Sequence, residues 1–168
     1  NRRAEARPTK GRLYFMNQEK LPALRLKKGE DRRLKQGHLW IYSNEVDIQA
    51  TPLKTFTPGL SVTVENHLGN PLGSAYVNPN SLISERFYSR GAHRHLDRDL
   101  LRRRMEQALA LRELLYPEPF YRLCFAEGDF LPGLVVDRFA DYFSVQLTTA
   151  GMEMMKDQII QVLIDMFK

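Results

Sequence analysis

Apolar residues recur along this chain with two different periods, and the change from one to the other divides it. Leu60, Val62 and Val64 alternate with Ser61, Thr63 and Glu65, the pattern of a strand with one buried face. Asn66-His67-Leu68-Gly69-Asn70 is turn chemistry, so Leu72 to Val77 is predicted to return as the partner strand. A second turn, Asn78-Pro79-Asn80-Ser81, leads into a third strand over Leu82 to Tyr88. Upstream, Leu24 to Lys28 alternates apolar and basic residues, Gly29 interrupts it, and Glu30 to Gln36 is charged and helix-compatible. Gly37 is placed to stop that short helix in a left-handed conformation, and His38 to Tyr42 follows as an aromatic, β-prone run. Short strands at tight spacing around one inserted helix predict a small barrel.

Beyond the linker Ser89-Arg90-Gly91-Ala92 the period becomes helical. A helix is expected from about His95 to Leu115, with Leu101, Met105, Ala108, Leu111 and Leu115 on one stripe and Arg102, Arg103 and Glu106 off it. Asp97 and Asp99 suit its N-terminus, and Pro117 and Pro119 end it. Tyr121, Leu123 and Phe125 then alternate with Arg122, Cys124 and Ala126 as a strand, and Glu127-Gly128-Asp129 turns the chain. Gly133 to Asp137 and Tyr142 to Thr148 are the next strands. A last helix, Gly151 to Phe167, gathers Met155, Ile159, Val162, Leu163 and Met166 on one face. The sheet edge and that helical face both call for further cover.

The fold class is therefore α+β: a small barrel over 21–89, then an incomplete mixed strand-and-helix domain over 90–168. Residues 1–20 carry Arg2, Arg3, Arg7, Lys10 and Arg12 with no sustained period and read as an N-terminal extension. Met16 leaves open where the native chain begins.

Charge changes the picture moderately. The chain has 25 Lys and Arg against 20 Asp and Glu, a net charge of +5 that favours an anionic partner. Cys124 is the only cysteine, which excludes an intrachain disulfide framework and a thiolate metal cluster. A reducing, cytoplasmic setting is expected, with no membrane span and no signal-peptide core.

The strongest catalytic signatures are absent: there is no GxxxxGK, GxGxxG, GxSxG or HExxH. His93-Arg94-His95 lacks further ligands at metal spacing and reads as solvated linker; Glu127 and Asp129 flank a turn glycine and read as turn residues. Cys124, mid-strand and without a neighbouring base, reads as a small buried side chain. No catalytic centre assembles.

The basic residues are different. Lys28, Arg32 and Arg33 precede His38 and the single Trp40, while Asn78, Ser81 and Arg86 lie on a later strand and turn of the same predicted barrel. A charged short helix is most often a solvated face and a lone Trp most often core. Should the barrel close, however, the two groups meet on one side. Arginine forks grip phosphates, a ring stacks on an unpaired base, and Asn and Ser reach ribose hydroxyls, which suits structured RNA.

Leu26-Lys27-Lys28-Gly29-Glu30-Asp31-Arg32-Arg33, followed by Gly37-His38-Leu39-Trp40-Ile41-Tyr42-Ser43-Asn44-Glu45-Val46, resembles the start of the PUA domain of bacterial class I rRNA large-subunit methyltransferases that make 5-methylcytosine. Gly69, Leu72, Gly73, Ala75, Tyr76, Asn78, Pro79, Ser81, Ile83 and Arg86 are similar to that domain's second half. The block from Tyr121-Arg122-Leu123 through Glu127-Gly128-Asp129 to Leu131-Pro132-Gly133-Leu134-Val135-Val136-Asp137-Arg138-Phe139 resembles the family's central domain. The match covers about Leu21 to Lys168.

The resemblance implies an RNA-binding, substrate-positioning N-terminal part of an S-adenosylmethionine-dependent enzyme acting on large-subunit rRNA. Its catalytic Rossmann-like domain, cofactor loop and nucleophilic cysteine have no counterpart here, and Cys124 does not match the nucleophile. No cofactor is expected to bind this chain and no residue of it to be catalytic. Lys28, Arg32, Arg33 and Arg86 are expected on phosphates, with His38, Trp40, Asn78 and Ser81 nearer bases or sugars. The rival is a stand-alone adaptor without enzymatic activity, for which an exposed stripe at Met155, Ile159 and Val162 would speak. Homodimerisation through that face is compatible with either.

Overall fold

The computed structural model describes residues 20–168, so the extension expected over 1–20 lies, but for Lys20, outside the described residues. Its first half is a curled five-stranded sheet in the order β1-β3-β4-β5-β2, made of β1 (Ala23–Arg25), β2 (Trp40–Tyr42), β3 (Ser61–Glu65), β4 (Pro71–Val77) and β5 (Ile83–Ser89). β1 runs parallel to β3 and the other pairs are antiparallel. The curl brings the two ends of the sheet together where Leu26, just after β1, bridges Val46, just after β2. Leu24, Leu26, Ile41, Val62, Val64, Ala75, Val77 and Phe87 fill the interior.

The short helix α1 (Arg32–Lys35) buries only Leu34, and Gly37 follows it at φ 108°, the left-handed conformation expected of its stop. The run after β2 is not free strand: Tyr42 N–H donates to the Glu45 carboxylate at 2.7 Å and fixes a single 3-10 turn over Ser43–Glu45.

The second half is a three-stranded antiparallel sheet, β6 (Phe120–Phe125), β7 (Leu134–Phe139) and β8 (Tyr142–Leu147), packed on α2 (Arg98–Leu115), α3 (Ala150–Met154) and α4 (Lys156–Met166). Asp97 caps α2 by accepting from Leu100 N–H at 2.7 Å.

The structure departs from the sequence pattern at several positions. Leu111 and Leu115 are largely exposed, so the buried stripe of α2 ends at Ala108. Strict alternation in β6 fails at a bulge between Arg122 and Cys124, which buries Leu123 and Cys124 in succession and turns Phe125 outward. The last helix is broken at Met155 into α3 and α4. Met155, Ile159 and Val162 are buried, so the exposed stripe that would speak for an adaptor is absent at those positions. His93 is no solvated linker residue: its Nδ1 lies 2.9 Å from the Thr63 hydroxyl, and its backbone N–H donates to that oxygen.

Two side chains tie the halves together. Tyr76 and Tyr88 leave the barrel strands and stack, 6.2 Å between ring centres, inside the second core. The Tyr76 hydroxyl donates to Pro132 O at 2.5 Å and pairs with Thr149 Oγ1 at 2.9 Å. A Cβ at Gly151 would stand 2.3 Å from the Tyr76 ring, so only glycine lets α3 approach this closely. Burial pushes the phenol's pKa upward, keeping it a donor at all ordinary pH. Tyr76→Phe keeps the ring and strips the Pro132 carbonyl of its partner. We expect a loss of about 1–3 kcal/mol in urea unfolding, and a loss below about 0.5 kcal/mol would mean the hydroxyl contributes nothing to the junction.

Candidate nucleic-acid interface

The pairing of β2 with β5 decides which candidates meet. Trp40 stands opposite Arg86 in register, so the only indole and this guanidinium share a face of the sheet. Trp40 is 40% exposed, against the buried role a lone Trp usually takes. Its indole N–H donates to Glu127 Oε1 at 2.7 Å, and Arg86 Nε lies 3.8 Å from the same oxygen. Glu127 is thus more than a turn residue: from the 3-10 turn Ala126–Asp129 of the second half it fixes the edge of a ring on the first.

Beside Arg86 a polar cavity of about 320 Å³ opens between the halves. Asn78, Ser81, Ser84 and Arg86 line it from the barrel, and Thr148, Thr149 and Glu153 from the second half. Of the candidates read from sequence, Asn78, Ser81 and Arg86 come together here, with Trp40 as Arg86's cross-strand neighbour. Asn78 is shaped by its own turn, its Oδ1 accepting from Asn80 N–H at 3.1 Å.

Lys28 and Arg32 are exposed and have no hydrogen-bond or ion-pair partner among the described residues. His38 is exposed, and its carbonyl accepts from Arg90 at 3.4 Å. Arg33 has different work. One of its nitrogens lies 2.7 and 2.9 Å from the two oxygens of buried Glu45, and the guanidinium sits 5.0 Å from the centre of the Tyr42 ring. That engagement serves the fold and leaves Arg33 less available to a phosphate than Lys28 or Arg32.

Sequence reasoning passed over Thr148, Thr149, Glu153 and the second use of Glu127. Thr149 had a local signal, as a hydroxyl residue just before a helix, and it caps α3 by accepting from Met152 N–H. Glu127 and Glu153 had none, because their neighbours in space come from the other half.

The two carboxylates and the thiol form no catalytic group. Asp129 is bidentate with Arg112, at 2.9 and 2.7 Å. Cys124 is buried, which pushes its thiol up to about 12 and keeps it protonated. Among the described residues no cluster of His, Cys, Asp and Glu can hold a metal, and no helix is long and apolar enough to cross a membrane.

A curled sheet with a short inserted helix, followed by a strand-and-helix module, is the architecture of a PUA-like barrel with an α+β companion. Residues 24–90 match the family model described as PUA-like domain. The chain is 34% identical over 145 residues to Ribosomal RNA large subunit methyltransferase I of Aliivibrio fischeri and 35% identical over 150 residues to that of Vibrio cholerae. These alignments cover 84% and 87% of this chain, and the chain spans 36% of the length of either relative. In fold it is similar to the crystal structure of SMU.776, described as a methyltransferase complexed with SAH, at a TM-score of 0.72 and 16% identity, covering 85% of this chain and 37% of that one.

Proposed function

We propose that this chain is the RNA-positioning region of an S-adenosylmethionine-dependent rRNA methyltransferase that acts at C5 of a cytosine. In this reading residues 21–89 are the RNA-binding barrel and 90–168 part of a central domain. The methyl transfer itself belongs to a region outside these residues, in a cytoplasmic enzyme acting on large-subunit rRNA. The supporting observation is that Asn78, Ser81 and Arg86 line one cavity between the halves with Trp40 as Arg86's cross-strand neighbour, and the relatives named above are rRNA methyltransferases by name.

The described residues do not fit the cofactor. Neither long helix opens from a glycine-rich turn, since α2 starts at Asp97 and α4 at Met155, and the cavity's lining is polar where an adenine ring needs an apolar slot.

What the chain's own side chains do is bind and orient. Lys28, Arg32 and Arg86 meet phosphates, His38, Asn78 and Ser81 meet sugars or base edges, and the Trp40 ring, held by Glu127, offers a face to an unpaired base.

Because Trp40 is the only tryptophan, its fluorescence reports on this face alone. Titration with large-subunit rRNA fragments is expected to quench it by stacking. Arg32→Glu is expected to weaken binding and to flatten the salt slope by about one unit. RNA that binds without changing Trp40 emission would remove the ring from the interface, and indifference to RNA would return the chain to the adaptor reading.

A further inference from the structure

Glu153 is the one carboxylate in the lining of the junction cavity, and it has no hydrogen-bond or ion-pair partner among the described residues. Exposed at the cavity and free to meet a ligand, this anion repels the phosphates of any RNA that reaches Arg86. What such a carboxylate attracts is N–H donors. In an RNA those donors are on the base edges and never on the backbone phosphates.

From this we infer that the junction cavity receives one unpaired guanine, its Watson–Crick edge read by Glu153 while Arg86, with Asn78 and Ser81, takes the attached phosphate and ribose. The inference rests on the RNA-binding reading above and adds the base class.

Base chemistry sets the choice. Guanine presents an imino N–H and an amino group side by side, two donors matching the two oxygens of one carboxylate. Cytosine and adenine present one amino group beside a ring-nitrogen acceptor, which faces the second oxygen with a lone pair. Uracil's single N–H is flanked by two carbonyl oxygens. The expected order of binding is therefore guanine first, cytosine and adenine next, and uracil last.

The cavity is built for a single unit. Its walls come from two modules locked together by Tyr76, Pro132 and Thr149, so its width is fixed before any ligand arrives. At about 320 Å³ it has room for a nucleobase with its sugar and none for a duplex. Thr148 donates its hydroxyl to Gly133 O at 3.2 Å, which holds one wall still, and Ser84 on the opposite wall is buried.

The test uses the 168-residue chain and short single-stranded RNAs that differ only in one central base, followed by Trp40 fluorescence and by filter binding. Wild type is expected to prefer guanine over uracil by about tenfold, and Glu153→Gln to reduce that preference to within about twofold, because the amide turns a donor toward donors. Affinity for uracil-centred RNA is expected to rise modestly in Glu153→Gln, since a charge that repels phosphate is removed and no phosphate contact is lost.

A preference that survives Glu153→Gln, or the lack of any preference in wild type, overturns the guanine assignment while RNA binding itself stands. If neither wild type nor variant binds any of the RNAs, the RNA-positioning reading falls with it. Glu153 is exposed on α3, so the variant is expected to unfold at the same urea concentration as wild type.

Discussion

Asp129→Ala is expected to cost this chain about 3 kcal/mol. Its carboxylate holds three donors: the two terminal nitrogens of Arg112, at 2.9 and 2.7 Å, and the Phe125 N–H at 2.6 Å. Both charged side chains are nearly buried, at 12% and 10% exposure, so their mutual attraction is poorly screened by water. Removing the carboxylate leaves a guanidinium in a dry site with only the Arg122 carbonyl, 3.0 Å away, and leaves the Phe125 amide at the end of β6 unpaired.

The double variant Arg112→Leu/Asp129→Ala is expected to be more stable than Asp129→Ala alone, since it removes the stranded charge as well. Urea unfolding of all four species gives a coupling energy, expected at about 2 kcal/mol. A coupling under about 0.5 kcal/mol would show the pair to be solvated and the fold indifferent to it. The consequence for function is indirect, because this ion pair ties α2 to the 3-10 turn that carries Glu127 and so sets the edge against which Trp40 is held.

The second large effect is pH-dependent and comes from Glu85. This residue lies inside the barrel on β5 with no exposed surface. Ser84 donates to one of its oxygens at 2.9 Å, and the other has no partner among the described residues. Burial, with a smaller contribution from the negative Glu45, raises its pKa from the ordinary 4.5 to about 8, while the Ser84 hydrogen bond opposes the shift.

The sign follows from proton counting. Between the two values the folded chain holds a proton that the unfolded chain has released, so stability falls as pH rises through this window. Below about pH 4.5 the penalty is absent, and above about pH 8 it is complete. Glu85→Gln keeps the shape and removes the titration. The difference in stability between variant and wild type is expected to grow by on the order of 5 kcal/mol from acid to mildly alkaline solution, in favour of the variant. Unfolding curves for both proteins across that range check it, and a difference that stays flat with pH would show that water or a partner reaches the carboxylate in the folded state.

Both effects show the limits of reading this chain as a line of letters. Asp129 was legible as a turn residue and takes part in that turn, yet its partner Arg112 lies 17 positions earlier on a helix whose orientation no local pattern fixes. Glu85 lies two residues from both Ile83 and Phe87 on one strand and so shares a face with a core phenylalanine, and a strand period alone does not tell that the face is closed off from water.

Similarly, Arg33 looked interchangeable with Arg32, because both are arginines on one short helix. The difference is that the turn after β2 carries Glu45 under one of them. The bulge in β6 and the break at Met155 are of the same kind, one residue's departure from a period that the rest of the element obeys.

What the sequence determined by itself is local. The strand period of two, the glycine after α1, the Asn-Pro-Asn-Ser turn and the helical stripe of α2 as far as Ala108 follow from each residue's own sterics and from which of its neighbours are apolar. Those patterns sufficed for a barrel joined to an α+β module and for nominating Asn78, Ser81 and Arg86.

The site itself was decided by tertiary structure. Trp40 and Glu127, 87 positions apart, meet across the junction where α3 settles against the Tyr76 ring at Gly151 and Thr149 reaches its hydroxyl. That junction also brings Glu153 and Arg86 into the lining of one cavity. Packing between two separately patterned halves sets such distances, and no residue's local preference encodes the position of a partner that arrives from the other half.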